Sequence, residues 1–168
     1  VSKSGLASLT ANMMNEATKN FTSEEIQEEL QKLGSSIRVY SSQASTTIDI
    51  QSLKKNIDKT LEIAEEILKN PAFNEDDFER LKKQQLEGIQ ASQKDPASIA
   101  NQVYSRLTYG SAHIYSVPSA GTEETVNNIT LEDVKNFYSQ YYSPAISELV
   151  IVGDISEEEM MPKLDFLK

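Results

Sequence analysis

The sequence has no cysteine and a single histidine, His113. Without cysteine there are no disulfides and no thiolate metal sites. A structural zinc site takes four Cys or His ligands and common catalytic sites take two or three His, so this chain cannot build either from its own residues. The missing cysteine leaves the compartment open, because it suits cytosol and periplasm alike. Positive charge is scarce: 16 Lys and Arg stand against 26 Asp and Glu, a net charge of −10. That excludes the cationic footprint of a nucleic-acid binder and disfavours adhesion to anionic membranes. The acidic excess could attract basic peptides; its plainer reading is solubility. No apolar run approaches the roughly 18 residues that a membrane span needs, and no signal-peptide pattern is visible at Val1. The glycines Gly5, Gly34, Gly88, Gly110, Gly121 and Gly153 are scattered, so no phosphate-cradling loop forms. Gly-x-Ser-x-Gly is absent too. His113, in a Gly/Ser/Pro-rich stretch beside Tyr115, reads as a loop residue rather than as the base of a catalytic triad.

What is present is mostly helical. The 168 residues fit one domain, with 38% apolar content sufficient for one core. In 5-GLASLTANMMNEATKN-20, Leu6, Leu9 and Met13 fall at helical spacing, while the polar face offers only Ser8, Thr10 and Asn12. Thr22 and Glu25 make a capping box before Ile26, Leu30 and Leu33, and Gly34 closes that helix. Alternation over 36-SIRVYSS-42 and 46-TTIDIQ-51 predicts two strands joined by a polar turn. Leu53, Ile57, Leu61, Ala64 and Leu68 form one helical stripe, stopped by Pro71. Asn74 is the expected cap of the next helix, whose first turn carries Glu75, Asp76 and Asp77 and whose buried side carries Phe78, Leu81 and Ile89. Asp95-Pro96 opens another helix with Ile99, Val103 and Leu107 as its stripe.

After a loop over 109–122, Thr130 caps a helix carrying Leu131, Val134, either Phe137 or Tyr138, and Tyr141. The run 148-ELVIVG-153 is expected to be a strand covered on both faces. Ser156 and Glu159 read as a last capping box. The clusters 75-EDD-77 and 157-EEE-159 sit in first turns and read as dipole-matched caps rather than general acids. About six helices thus share only three strands, one of them apparently central, which is a small sheet for such cover. The inference is that strands are missing, most simply before Val1. Both ends of the chain read as cut. The expected organisation is a single domain, 1–168.

The order of these landmarks carries a resemblance. The segments 5-GLASLTANMMNEAT-18, 23-SEEIQEELQKLGSSI-37 and 52-SLKKNIDKTLEIAEEILKNPAFNEDDFERLKKQ-84 are similar to the pitrilysin/insulinase family of zinc metallopeptidases, which includes the mitochondrial processing peptidase. The stretch 109-YGSAHIYS-116 resembles the family's Tyr-Gly-x-x-His-Pro-Tyr loop. Gly121-Thr122, 129-ITLEDVKNFYSQYYSP-144 and 149-LVIVGDIS-156 follow in family order. The resemblance implies a two-layer α/β sandwich, helices on a largely antiparallel sheet, whose first strands precede the Gly-Leu-Ala segment.

Catalytic members carry His-x-x-Glu-His on the first helix, two zinc ligands with a carboxylate that polarises water. The corresponding positions here are Ser8, Ala11 and Asn12. The third family ligand, a Glu, lies about eighty residues on, which aligns near Gly88 or Ile89 in 86-LEGIQ-90, with Glu87 adjacent. The resemblance therefore implies a chain with no catalytic or metal-binding residue: the first domain of an inactive half, forming a wall of a closed peptide chamber. Zinc would belong to a catalytic half or subunit, the expected partner, together with peptide substrates. The family's substrate-anchoring Arg/Tyr pair would lie in the following domain. The rival expectations are a scaffold subunit without a peptidase role and an independent peptide-binding module. An unpaired sheet edge would make this chain self-associate.

Overall fold

The structure is a computed structural model and describes residues 2–167. Its elements are α1 (Leu6–Met14), α2 (Ser23–Leu33), β1 (Ser36–Ser41), β2 (Thr46–Gln51), α3 (Ile57–Lys69), α4 (Glu75–Ser92), α5 (Pro96–Tyr109), α6 (Glu123–Asn127), α7 (Leu131–Tyr141) and α8 (Glu157–Met160). Short 3-10 turns lie at Lys54–Asn56, Ile114–Ser116 and Pro144–Ile146, and a longer one at Met161–Leu167.

Most helix starts follow from local chemistry. At α2, the Thr22 hydroxyl accepts from Glu25 N–H (3.2 Å) while the Glu25 carboxylate accepts from Thr22 N–H (2.8 Å). Gly34 ends α2 in the left-handed region, φ 60, where a Cβ would be disfavoured. Asp95 caps α5 through Ser98 N–H (2.8 Å), with Pro96 in the first turn. Thr130 and Asp133 repeat the reciprocal pattern at α7. Two expected caps differ. Asn74 stands at the start of α4, but its amide turns to Asp77 Oδ2 (3.4 Å) and caps no N–H. Ser156 accepts from Glu159 N–H (3.2 Å), while the Glu159 carboxylate pairs with Lys54 (3.1 Å).

The core is built around α1, which packs against α7, β1 and α4. Leu9, Thr10, Ala11, Met13 and Met14 are all buried; the Thr10 hydroxyl is satisfied by donating to Leu6 O (2.9 Å). Ile26 and Leu30 of α2, Ile37 and Val39 of β1, Ala64 and Ile67 of α3, Phe73 before α4, Phe78, Leu81 and Ile89 of α4, and Val126, Ile129 and Val134 join this cluster. On α3 the buried stripe is Thr60, Leu61, Ala64 and Ile67; Leu53 precedes the helix and is exposed. A smaller cluster joins Leu61 to Met160 and Leu164, so the C-terminal turns pack on α3, with Lys163 paired to Asp58 (2.5 Å). Residues 17–19 lie against 70–72, and Phe73 adopts a positive φ of 46 while its ring meets Tyr138 edge-on.

The sheet among the described residues has two antiparallel strands, with Ile37 opposite Ile50 and Val39 opposite Ile48. The expected strand 148–153 is not one: the segment is irregular, and Leu149, Val150, Ile151 and Val152 are exposed, Val152 at 93%. A strand exists through ladder partners, and none of the described residues supplies them. The stripe Ile99, Val103 and Leu107 meets the same fate: α5 forms, but buries no residue. The short α6, inside what reads as a connection, is an addition; its Thr122 cap is answered by Thr125.

Candidate functional site

The residues singled out for chemistry lie on α1 and α4. The entry to α1 is a close backbone crossing. Gly5 sits at φ 96, and a Cβ there would stand 2.6 Å from Ala120 O and 2.9 Å from Gln85 Nε2. Gly121, at φ 82, faces Ser4 O in the same way. Gln85 of α4 binds the crossing by donating to Gly5 O (3.1 Å) and Ala120 O (2.8 Å). Its Oε1 is buried, with no partner among the described residues. Lys3 adds a tether, donating to Asn128 O (2.9 Å) and pairing with Asp133 (2.6 Å). The lysine, then the N–H of Thr130, hold the Asp133 carboxyl below the usual carboxylate range.

From this entry α1 presents Ser8 half-buried and Asn12 exposed, one helical turn apart on one face. Ala11 is enclosed, at 0% exposure, within the main core cluster. On α4, Ile89 points into that core, whereas Glu87 and Gly88 are exposed and a Cβ at Gly88 would touch nothing within 4 Å. A hydroxyl and a carboxamide are poor substitutes for imidazoles as zinc ligands. Among the described residues no group of three or more His, Cys, Asp or Glu side chains is placed to hold a metal. The residues present do not fit a zinc ion, and no chemical step passes through one here.

His113 is exposed, stacked on Tyr109 (ring centroids 5.5 Å), with Nδ1 accepting from Tyr115 N–H (3.2 Å). It shapes a loop. The acidic clusters occupy the first turns of α4 and α8. Asp77 and Glu16 both engage Arg80, at 2.8 and 2.9 Å, and raise its already high pKa, Asp77 most.

Asn15 was not singled out in the sequence. It stands at the end of α1, accepts from Val39 N–H through Oδ1 (2.8 Å), and donates from Nδ2 to Val39 O (2.7 Å) and Ala11 O (2.9 Å). Its partner lies 24 residues away and has no local signature. A groove of about 890 Å³ runs beside it between α2 and β1, lined by Leu30, Gln31, Ile37 and Val39 among others.

Residues 2–116 match the family described as Insulinase (Peptidase family M16), and residues 128–166 match the Peptidase M16 inactive domain. The chain is similar to the zinc protease PqqE of Helicobacter pylori, 26% identical over 94% of this chain and 36% of that protein. It is also similar to the non-peptidase homolog YmxG of the same organism, 25% identical over 96% of this chain and 37% of the relative. Among solved structures it resembles the peptidase M16 inactive domain from Pseudomonas fluorescens, with a TM-score of 0.75 and 26% identity over 80% of this chain and 33% of that one. The chain thus spans a little over a third of the length of these curated relatives.

Proposed function

The chain belongs to the insulinase family of peptidases, M16, and on that premise we propose that it is the first domain of an inactive half, forming one wall of a peptide chamber whose zinc and catalytic residues lie in another half or subunit. The observation that carries this reading is α1. The helix is packed into the core and entered through a glycine, and the sequence resemblance aligns its Ser8 and Asn12 with the family's zinc-binding imidazoles. Burial of Ala11 supports the same reading, since a carboxylate there would face apolar neighbours rather than a bound water. The exposed run 149–152 and the uncovered stripe of α5 fit a domain that packs against further protein. Peptides would be the substrates of the whole assembly, not of this chain.

A second reading has its own support. The non-peptidase homolog among the relatives favours a scaffold subunit in an assembly without peptidase activity. One experiment tests both: peptide hydrolysis by the intact parent protein, together with any partner that carries His-x-x-Glu-His. The wall reading expects hydrolysis that a chelator abolishes, that disappears when the partner's motif histidines are replaced, and that is unchanged by Ser8→Ala or Asn12→Ala. Hydrolysis lost on changing Ser8 or Asn12 overturns it. No hydrolysis under any pairing selects the scaffold.

A further inference from the structure

Among the described residues β1 has one neighbour, β2, and its other edge faces the groove against α2. Such an edge is a template for another strand. In antiparallel pairing, successive residues turn their N–H and C=O alternately toward one neighbour and then the other. Val39 turns both groups away from β2, into the groove, because both are bonded to Asn15. By the same two-residue period Ile37 and Ser41 face that way too. Asn15 therefore meets the middle of the open edge.

The contact has the form of a strand pairing. A carboxamide has the donor and acceptor of a peptide group, and here both are used on one residue, N–H to Oδ1 at 2.8 Å and Nδ2 to O at 2.7 Å. The second Nδ2 hydrogen is held by Ala11 O at 2.9 Å, which fixes the amide on the end of α1. The geometry is selective for asparagine. Aspartate would set a carboxylate against the carbonyls of Val39 and Ala11, and glutamine would carry its amide one methylene further out.

We propose that Asn15 is a built-in cap of the β1 edge, its carboxamide standing in for the peptide group of an added strand and keeping the groove closed to an extended polypeptide. The alternative is that Asn15 only fastens α1 to β1. Both roles cost stability when Asn15 is removed, but only a cap predicts a gain of strand binding. The proposal concerns this edge alone and does not depend on where the assembly keeps its zinc.

The test uses a blocked peptide, acetyl-TTIDIQ-amide, whose sequence already pairs with β1 as β2. Titration into the unaltered chain, Asn15→Ala and Asn15→Asp is followed by calorimetry, with circular dichroism to confirm folding. The expected result is no saturable binding by the unaltered chain and a gain of at least about tenfold in affinity for folded Asn15→Ala. Binding by the unaltered chain, or no gain by a folded Asn15→Ala, overturns the proposal. Amide exchange in the unaltered chain tests the contact that the cap requires, independently of whether the variants fold. Val39 N–H should exchange at least about tenfold more slowly than Ser41 N–H on the same edge. Equal rates would show that the carboxamide does not seal the edge.

Discussion

The helix Leu6–Met14 carries Leu6, Leu9, Met13 and Met14 and leaves only Asn12 exposed; the run 149–152 carries Leu, Val, Ile and Val and leaves all four exposed. Both stretches are apolar. They differ in what surrounds them. A helix satisfies its own backbone hydrogen bonds, so α1 needs only side-chain partners, and α4, α7 and β1 provide them. A strand needs backbone partners as well, and the described residues offer none near 149–152. α5 falls between the two: it forms from its own cap and hydrogen bonds, yet its stripe stays uncovered, with Leu107 81% exposed. Burial is a property of the pair of surfaces, not of one.

The sharpest way to break the comparison is to truncate both stretches. Leu9→Ala should cost about 2–5 kcal/mol, because Leu9 is fully enclosed and its neighbours can close only part of the cavity. Val152→Ser, at a site 93% exposed, should change stability by less than about 0.5 kcal/mol. Urea denaturation of the two variants beside the parent gives both numbers. Similar costs would mean that 149–152 is covered in solution and that the two stretches do not differ in burial.

The glycines give a second contrast, smaller in size. Gly121→Ala puts a Cβ against the Ser4 carbonyl at φ 82 and should cost about 1–3 kcal/mol through strain and displaced backbone. Gly88→Ala lies in mid-helix with nothing near its Cβ and should stabilise by about 0.5–1 kcal/mol. Thermal denaturation should move in opposite directions for the two. Destabilisation by Gly88→Ala would show that something approaches α4 at that point.

An exposed apolar run should also act between molecules. The chain should self-associate at high concentration, and the double change Val150→Lys with Val152→Lys should weaken association by about tenfold. Because the net charge of −10 repels copies, added salt should strengthen it. Sedimentation up to millimolar concentration checks both points, and a strictly monomeric chain would count against them. Association that responds to Asn15→Ala instead would place the contact at β1.

The legible part of the fold is what short-range chemistry decides. Thr22 with Glu25, Asp95 with Pro96, and the alternation in 36–41 and 46–51 all acted as read, since each settles its own few residues. α6 has a weak sequence signal because Thr125 answers Thr122, where an acidic or amide residue is the usual partner. The expected strand 148–153 and the expected packing of α5 fail for one reason: both depend on partners distant in sequence. At the candidate site, Ser8 and Asn12 came from a family resemblance. That Ala11 is core and that Asn15 reaches Val39 follow only from how α1 lies on β1.

The weakest expected effect concerns acid and the tether at Lys3. Asp133 is held below the ordinary carboxylate range, first by Lys3, then by the N–H of Thr130. The native state therefore keeps this carboxyl ionised at pH values where the unfolded chain has begun to protonate it. Stability from the pair is complete above the unfolded value of about 3.9 and is lost as pH falls through the lower, native value. Lys3→Met removes the largest cause and leaves the Thr130 contribution, so the variant should lose less stability than the parent below about pH 4. With side chains 43% and 27% exposed, water screens the pair, and the difference at neutral pH should stay under about 1 kcal/mol. Urea denaturation at pH 7 and pH 3 for both chains measures it. Parallel losses on acidification would mean that Lys3 does not hold Asp133 in solution. Lys3 would then hold this junction through its donation to Asn128 O.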